Sequence, residues 1–236
     1  MLSVVESAEE GHGLYSFKEV AQYLRVNIKT LRSWFSNKDR TLLKGEIARG
    51  HKEGTWLSFD DLIQAYAVKS LKDKGIQPKV IREAIVEAQE TYNLPYPLSM
   101  RGHEIFADDN GTLHILPPGE SHPAQLTGRA KTQTSLKDII ASYLTPIEFD
   151  EKGMAARFVV FQKQYDGLTK RVVMDPHTNF GEPTVEGTMF RVVTLCDAAE
   201  AEGSPERAAE LYEVDKRDVL VAIDLCRQGL ALKAAA

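Results

Sequence analysis

The sequence predicts an α+β fold in three parts: an N-terminal winged helix-turn-helix, a small mixed α/β middle and a three-helix C-terminal domain. Three observations predict it. Two short helical patterns, separated by a two-residue break, open the chain after a polar start. A proline-rich cut at Asn93-Leu94-Pro95-Tyr96-Pro97 follows, since proline removes donors and forces its neighbours extended. Capped helical segments then return after Arg191. The expected divisions are a mobile tail over 1–13, the winged unit over 14–92, the mixed region over 93–173 and the helical domain over 174–236.

Ser16 followed three residues later by Glu19 is a capping-box pattern, which starts a helix near Phe17. Phe17, Val20, Ala21 and Leu24 give that helix one apolar face. After the break at Arg25-Val26, Asn27 is suited to cap a second helix. Leu31, Trp34 and Phe35 turn inward from it and leave Lys29, Thr30, Arg32 and Ser33 facing out. A short helix that presents small polar and basic residues fits a DNA major groove, so Asn27, Lys29, Thr30, Arg32 and Ser33 are candidate DNA-binding residues. Leu42 to Leu57 has strand-like ends around a basic, Gly-rich middle, as a two-stranded wing does, and Arg49, His51 and Lys52 sit at its tip. Ser58-Phe59-Asp60-Asp61 caps a third helix closed by Gly75, and Pro78 opens a fourth.

This order of helix, turn, helix, wing, helix, Gly, helix resembles the MerR type of winged-helix DNA-binding domain over roughly Leu14 to Thr91. The residues that carry it are Tyr15-Ser16-Phe17, Glu19-Val20-Ala21, Thr30-Leu31-Arg32, Leu57-Ser58, Asp60-Asp61-Leu62 and Leu71 through Gly75-Ile76. The resemblance places Thr30-Leu31-Arg32 on the major-groove helix. It departs at Thr55, where the family usually has a phosphate-contacting arginine; Arg49, His51 and Lys52 are the replacements at hand. The long dimer helix of MerR regulators has no counterpart after Pro78, which argues against their route of metal or drug sensing.

Charge is unevenly spread along the 236 residues, whose net charge is −5. Residues 14–101 hold 15 Lys/Arg against 10 Asp/Glu, while residues 102–236 hold 14 against 21. A basic N-terminal unit before an acidic remainder assigns one region to DNA and another to a different partner. The opening MLSVVESAEEGHG has neither a basic n-region nor an apolar h-region, and no run is long enough for a membrane helix, so a cytoplasmic protein is expected. Two cysteines, Cys196 and Cys226, make no disulfide framework and are expected as buried thiols.

In the middle region, His103–Ala107 and Thr112–Leu116 around Asp108-Asp109-Asn110-Gly111 read as a hairpin. Ser135 is the expected cap of a helix through Tyr143; Ile147–Phe149, Arg157–Phe161 and Lys170–Met174 read as strands. Helices are expected at Val192–Ala201, at Pro205–Leu211 with Ser204 as cap, and at Lys216–Gly229 with Asp215 as cap. Between Arg191 and Gly229 five basic residues face nine acidic ones, which disfavours a second DNA-binding surface there.

Asp175-Pro176, Phe180-Gly181, Pro183 and Gly187-Thr188, followed by Gly203-Ser204 and the helical triplet, resemble a small family of unknown molecular function common in bacterial antitoxins. Behind a MerR-like head, the layout resembles VapB-type antitoxins of the large actinobacterial kind. The resemblance implies an autorepressor that binds a palindromic double-stranded operator as a homodimer. It also implies neutralisation of a VapC-type PIN-domain ribonuclease toxin. The alternative is a stand-alone MerR-like transcription regulator that responds to a small ligand. No catalytic site is expected, because the histidines are scattered and no Gly-rich phosphate loop is present. No metal or cofactor is expected either: Asp175, His177 and Glu182 lie in a Pro/Gly-rich stretch and read as turn formers and caps.

Overall fold

The structure is a computed structural model of the full chain and describes residues 14–35, 42–43, 56–107, 112–119 and 138–229. In chain order, the elements are α1 (Phe17–Tyr23), α2 (Ile28–Trp34), α3 (Phe59–Asp73), α4 (Pro78–Tyr92), β1 (Glu104–Ala107) and β2 (Leu113–Leu116). There follow α5 (138–144), β3 (Ile147–Phe149), β4 (Ala155–Tyr165), β5 (Leu168–Met174), β6 (Thr184–Val185), α6 (Val192–Ala201), α7 (Pro205–Tyr212) and α8 (Lys216–Arg227). The fold is mixed α and β, with antiparallel sheets. The chain forms two compact units, one joining Met1–Arg25 to Arg157–Ala236 and the other Val26–Ala156.

In the Val26–Ala156 unit, α3 is the central element. Ser58 and Asp61 cap it reciprocally, Ser58 Oγ accepting from the Asp61 N–H at 3.1 Å and Asp61 Oδ2 from the Ser58 N–H at 3.0 Å. Leu62, Ile63, Ala65, Ala67, Val68 and Leu71 are all buried, so α3 is covered on several sides rather than along one stripe. Its end is a Schellman turn: Gly75 takes φ +88°, the Gly75 N–H donates to Lys72 O and the Ile76 N–H to Leu71 O. Pro78 then starts α4, whose Ile81, Ala84, Ile85 and Ala88 form a single buried stripe. The antiparallel hairpin β1–β2 pairs Glu104 with Leu116 and Ala107 with Leu113, and His114 Nδ1 meets Glu87 of α4 at 2.9 Å. Buried beside this hairpin, His103 donates from Nδ1 to Met100 O and accepts at Nε2 from the Tyr143 hydroxyl of α5.

In the other unit, β4, β5 and β6 form an antiparallel sheet, paired from Tyr165↔Leu168 to Phe158↔Met174 and at Val172↔Val185. Asp166 (φ +48°) and Gly167 (φ +81°) make the two-residue turn between β4 and β5. Val172 and Val185 from the sheet meet Val192, Leu195, Val221, Ala222 and Leu225 from α6 and α8 in one apolar core. Small residues Ala198, Ala199, Ala208 and Ala209 let α6 and α7 approach over Val219. Ser204 accepts from the Arg207 N–H and Asp215 from the Arg217 N–H, the two caps read from the sequence. One reading is corrected: Cys196 and Cys226 are not separate thiols but a disulfide that ties α6 to α8. Cys196 is buried as the apolar spacing predicts and Cys226 only partly so, and it is the packing of α6 on α8 that brings them together.

Candidate nucleic-acid surface and partner-binding loop

The candidate DNA residues within the described chain lie on and just before α2. Asn27 is extended (φ −66°, ψ 133°) and its Oδ1 accepts from the Lys29 N–H at 2.8 Å, which fixes the start of the helix. Leu31 and Trp34 are buried, and Phe35 is half-buried. Trp34 O accepts from the N–H groups of Leu42 and Leu43 at 2.9 and 2.8 Å, and Lys72 Nζ stands 4.9 Å from the Trp34 ring. Lys29, Arg32 and Ser33 are exposed and Thr30 is half-buried, with Ser33 Oγ donating to Thr30 O at 2.6 Å. Helix α1 begins with the expected capping box, Ser16 Oγ accepting from the Glu19 N–H at 3.2 Å and Glu19 Oε2 from the Ser16 N–H at 2.6 Å. Arg25, at φ +52°, turns the chain between the two helices. The division between units falls after Arg25, so α1 and α2 belong to different units. Arg49, His51 and Lys52 of the expected wing lie outside the described residues.

The second candidate is the loop from Asp175 to Arg191, where the motif residues hold one another in place. Asp175 Oδ1 accepts from the His177 N–H at 2.9 Å, and Arg157 Nε lies 3.6 Å from the same carboxylate. Glu182 pairs with Arg191 at 3.1 Å, and Glu186 with Arg157 and Arg171 at 3.0 and 3.1 Å. The acids noted as conceivable metal ligands are therefore engaged by arginines and by backbone. Three successive residues, Asn179, Phe180 and Gly181, take φ of +49°, +55° and +82°. Asn179 Nδ2 steadies this run by donating to Thr184 Oγ1 at 3.0 Å and Met189 O at 3.1 Å. Gly181 is obligatory: a Cβ there would lie 2.0 Å from the Tyr15 hydroxyl oxygen. That hydroxyl donates to Gly181 O at 3.1 Å across 166 positions of sequence, and burial raises the Tyr15 phenol well above its ordinary range.

Sequence reasoning missed the loop's outward face. Phe180 is 71% exposed, Met189 74% and Leu211, on α7, 61%. The signal available was a phenylalanine wedged between Asn and Gly, the two residue types that most readily adopt positive φ. Beside the disulfide, a cleft of about 440 Å³ is lined by Cys196, Ala199, Pro205, Ile223, Cys226 and Arg227.

Against known proteins, no family model matches the chain. A curated protein of Mycobacterium tuberculosis, described as "Putative antitoxin VapB45", is 23% identical over 228 residues, spanning 89% of this chain and 92% of that one. The crystal structure of Rv2018 from Mycobacterium tuberculosis shares the fold, with a TM-score of 0.61 and 19% identity over 89% of this chain and 97% of that one. Among the described residues, no helix is long and apolar enough to cross a membrane.

Proposed function

We propose that this chain is a cytoplasmic, non-enzymatic antitoxin of a type II toxin–antitoxin system. In this reading it represses its own operon through α2 and the wing, and neutralises a VapC-type PIN-domain ribonuclease through its C-terminal half. The observation that carries the reading is the 23% identity to the mycobacterial protein of that description, extending over nearly all of both chains. The residues add support. A capped helix with exposed Lys29, Arg32 and Ser33 lies in the basic part of the sequence, and the acidic part holds the motif that resembles antitoxin domains. A single small winged helix covers few base pairs, so the operator form is a homodimer on an inverted repeat.

The test is co-expression of the full chain with a VapC-type PIN-domain ribonuclease from the same genome. Growth rescue together with co-purification is expected. A ribonuclease that stays toxic and fails to co-purify with a soluble chain overturns the antitoxin reading and favours a stand-alone regulator.

A further inference from the structure

Phe180, Met189 and Leu211 are three of the five large apolar residues that stand exposed among the described residues, and contacts made by their neighbours link the segments that carry them. Asn179 bonds the backbone of Met189, joining the Phe180 turn to the Met189 turn. The next residue, Phe190, meets Tyr212 edge to face at 4.9 Å, and Tyr212 follows Leu211. Their segments are thus joined through neighbouring residues, and we take the three exposed side chains as one apolar strip. Single exposed hydrophobic residues are ordinary, whereas a connected set marks an interaction surface. Phe180 is the least explained by the fold. Its ring packs on little of the chain, and its φ of +55° is one that Asn or Gly adopts more readily. Neither packing nor backbone preference accounts for a phenylalanine there; a pocket on a partner does.

Charge decides between occupants. Residues 174–229 carry twelve Asp/Glu against five Lys/Arg. Glu210 and Glu213 flank Leu211, and neither forms an ion pair among the described residues. A second copy seated on the strip would bring two rims of the same sign together. A protein with an apolar pocket inside a basic surface satisfies both the strip and its border, and a ribonuclease carries such a surface because its substrate is a polyanion.

We propose that Phe180, Met189 and Leu211 form the apolar anchor with which this chain docks onto the basic substrate face of its ribonuclease partner. The proposal rests on the antitoxin reading above. Its test uses the full chain and a VapC-type PIN-domain ribonuclease from the same genome, with affinity measured by calorimetry and inhibition by cleavage of a single-stranded RNA. Phe180→Asn keeps a residue suited to positive φ while removing the ring, so the loop backbone is retained. We expect at least tenfold weaker binding for Phe180→Asn and severalfold weaker binding for Met189→Ser and Leu211→Ser. Leu168→Ser, another exposed apolar site beside the β4–β5 turn, should leave binding unchanged. Wild-type binding that survives Phe180→Asn and Leu211→Ser overturns the anchor and leaves the antitoxin reading standing. A wild-type chain that does not bind the ribonuclease overturns that reading and the anchor with it. Light scattering that shows a wild-type dimer and a Phe180→Asn monomer, with ribonuclease affinity unaltered, overturns it in favour of a contact between copies.

Discussion

In α2 the polar residues Lys29, Arg32 and Ser33 are exposed, and the helix is held by Asn27 at its start and by Leu31 and Trp34, buried beneath it. In the 175–191 loop the polar residues are spent on the loop itself. Asp175, Asn179, Glu182, Thr184 and Glu186 all bond within the unit, and it is the apolar Phe180 and Met189 that are left outside. A regular helix satisfies its own backbone and so frees its side chains. A loop of left-handed residues does not, and must use its side chains as scaffolding. Substitutions of polar residues should therefore act on stability in the loop and on binding in the helix.

The largest expected effect is Gly181→Ala. The new Cβ meets a buried tyrosine that cannot swing away, at a φ of +82° that alanine resists. A loss of about 3 kcal/mol or more is expected in urea denaturation followed by far-UV circular dichroism. Tyr15→Phe should cost less, about 1–2 kcal/mol, by leaving Gly181 O buried without its donor. Equal stability of Gly181→Ala and wild type would show that Tyr15 does not fix this loop. Next comes the Cys196–Cys226 bond, which closes a segment of 30 residues. Its removal by Cys196→Ser with Cys226→Ser should cost about 2–4 kcal/mol, and the adjoining cleft gives a small reductant access to the wild-type bond.

The Val26–Ala156 unit offers a pH test, because both tryptophans, Trp34 and Trp56, belong to it and their fluorescence reports its unfolding. Burial lowers the affinity of His103 for a proton, against a smaller opposing effect of its bond to Met100 O. Below about pH 6.5 the unfolded chain takes up a proton that the folded one refuses. Stability should thus be full above that pH and fall as pH drops from there toward the lowered folded value, by at most about 1.4 kcal/mol per pH unit. Replacing His103 by Gln should flatten this dependence even though it lowers stability throughout. A wild-type midpoint that is constant between pH 7.5 and 5 would place the proton elsewhere.

What the sequence made legible was local. The capping box at Ser16, the caps at Asn27, Ser58, Ser204 and Asp215, and the span of α6 from Val192 to Ala201 are all as read, because each depends on local sequence. The paired strands β1 and β2 and the other strands of the middle region are present, with β4 longer than expected at Ala155–Tyr165, while the expected turn at Asp108-Asp109-Asn110-Gly111 lies outside the described residues. What escaped was distant in sequence. Nothing in spacing links Tyr15 to Gly181, or Cys196 to Cys226, because connectivity follows from packing rather than from local pattern. The exposure of Phe180 escaped for a related reason: hydrophobic periodicity assumes a regular backbone, and three left-handed residues in a row have no such period.

The smallest expected stability effects lie on and around α2, and they carry the sharpest test of the comparison. Asn27→Ala should cost about 1 kcal/mol, the usual worth of a helix cap, since only the Lys29 N–H loses its acceptor. Lys29→Ala together with Arg32→Ala should change stability by no more than about 0.5 kcal/mol, because both side chains are exposed and α2 is held from its other face. The same double substitution should be conspicuous on DNA. A bidentate base contact by Arg32 is worth about 1–3 kcal/mol of discrimination. Loss of a phosphate contact at Lys29 instead weakens binding to every sequence and makes affinity less steeply dependent on salt. Gel-shift titrations on the DNA upstream of the coding sequence, at two salt concentrations and against an unrelated duplex, separate the two. A smaller ratio of specific to unrelated binding assigns Arg32 to a base, and a shallower salt dependence with an unchanged ratio assigns the pair to phosphates. Affinity and salt dependence both equal to wild type would remove α2 from any DNA interface. The contrast between a helix that presents its polar residues and a loop that consumes them would then hold for the fold but not for function.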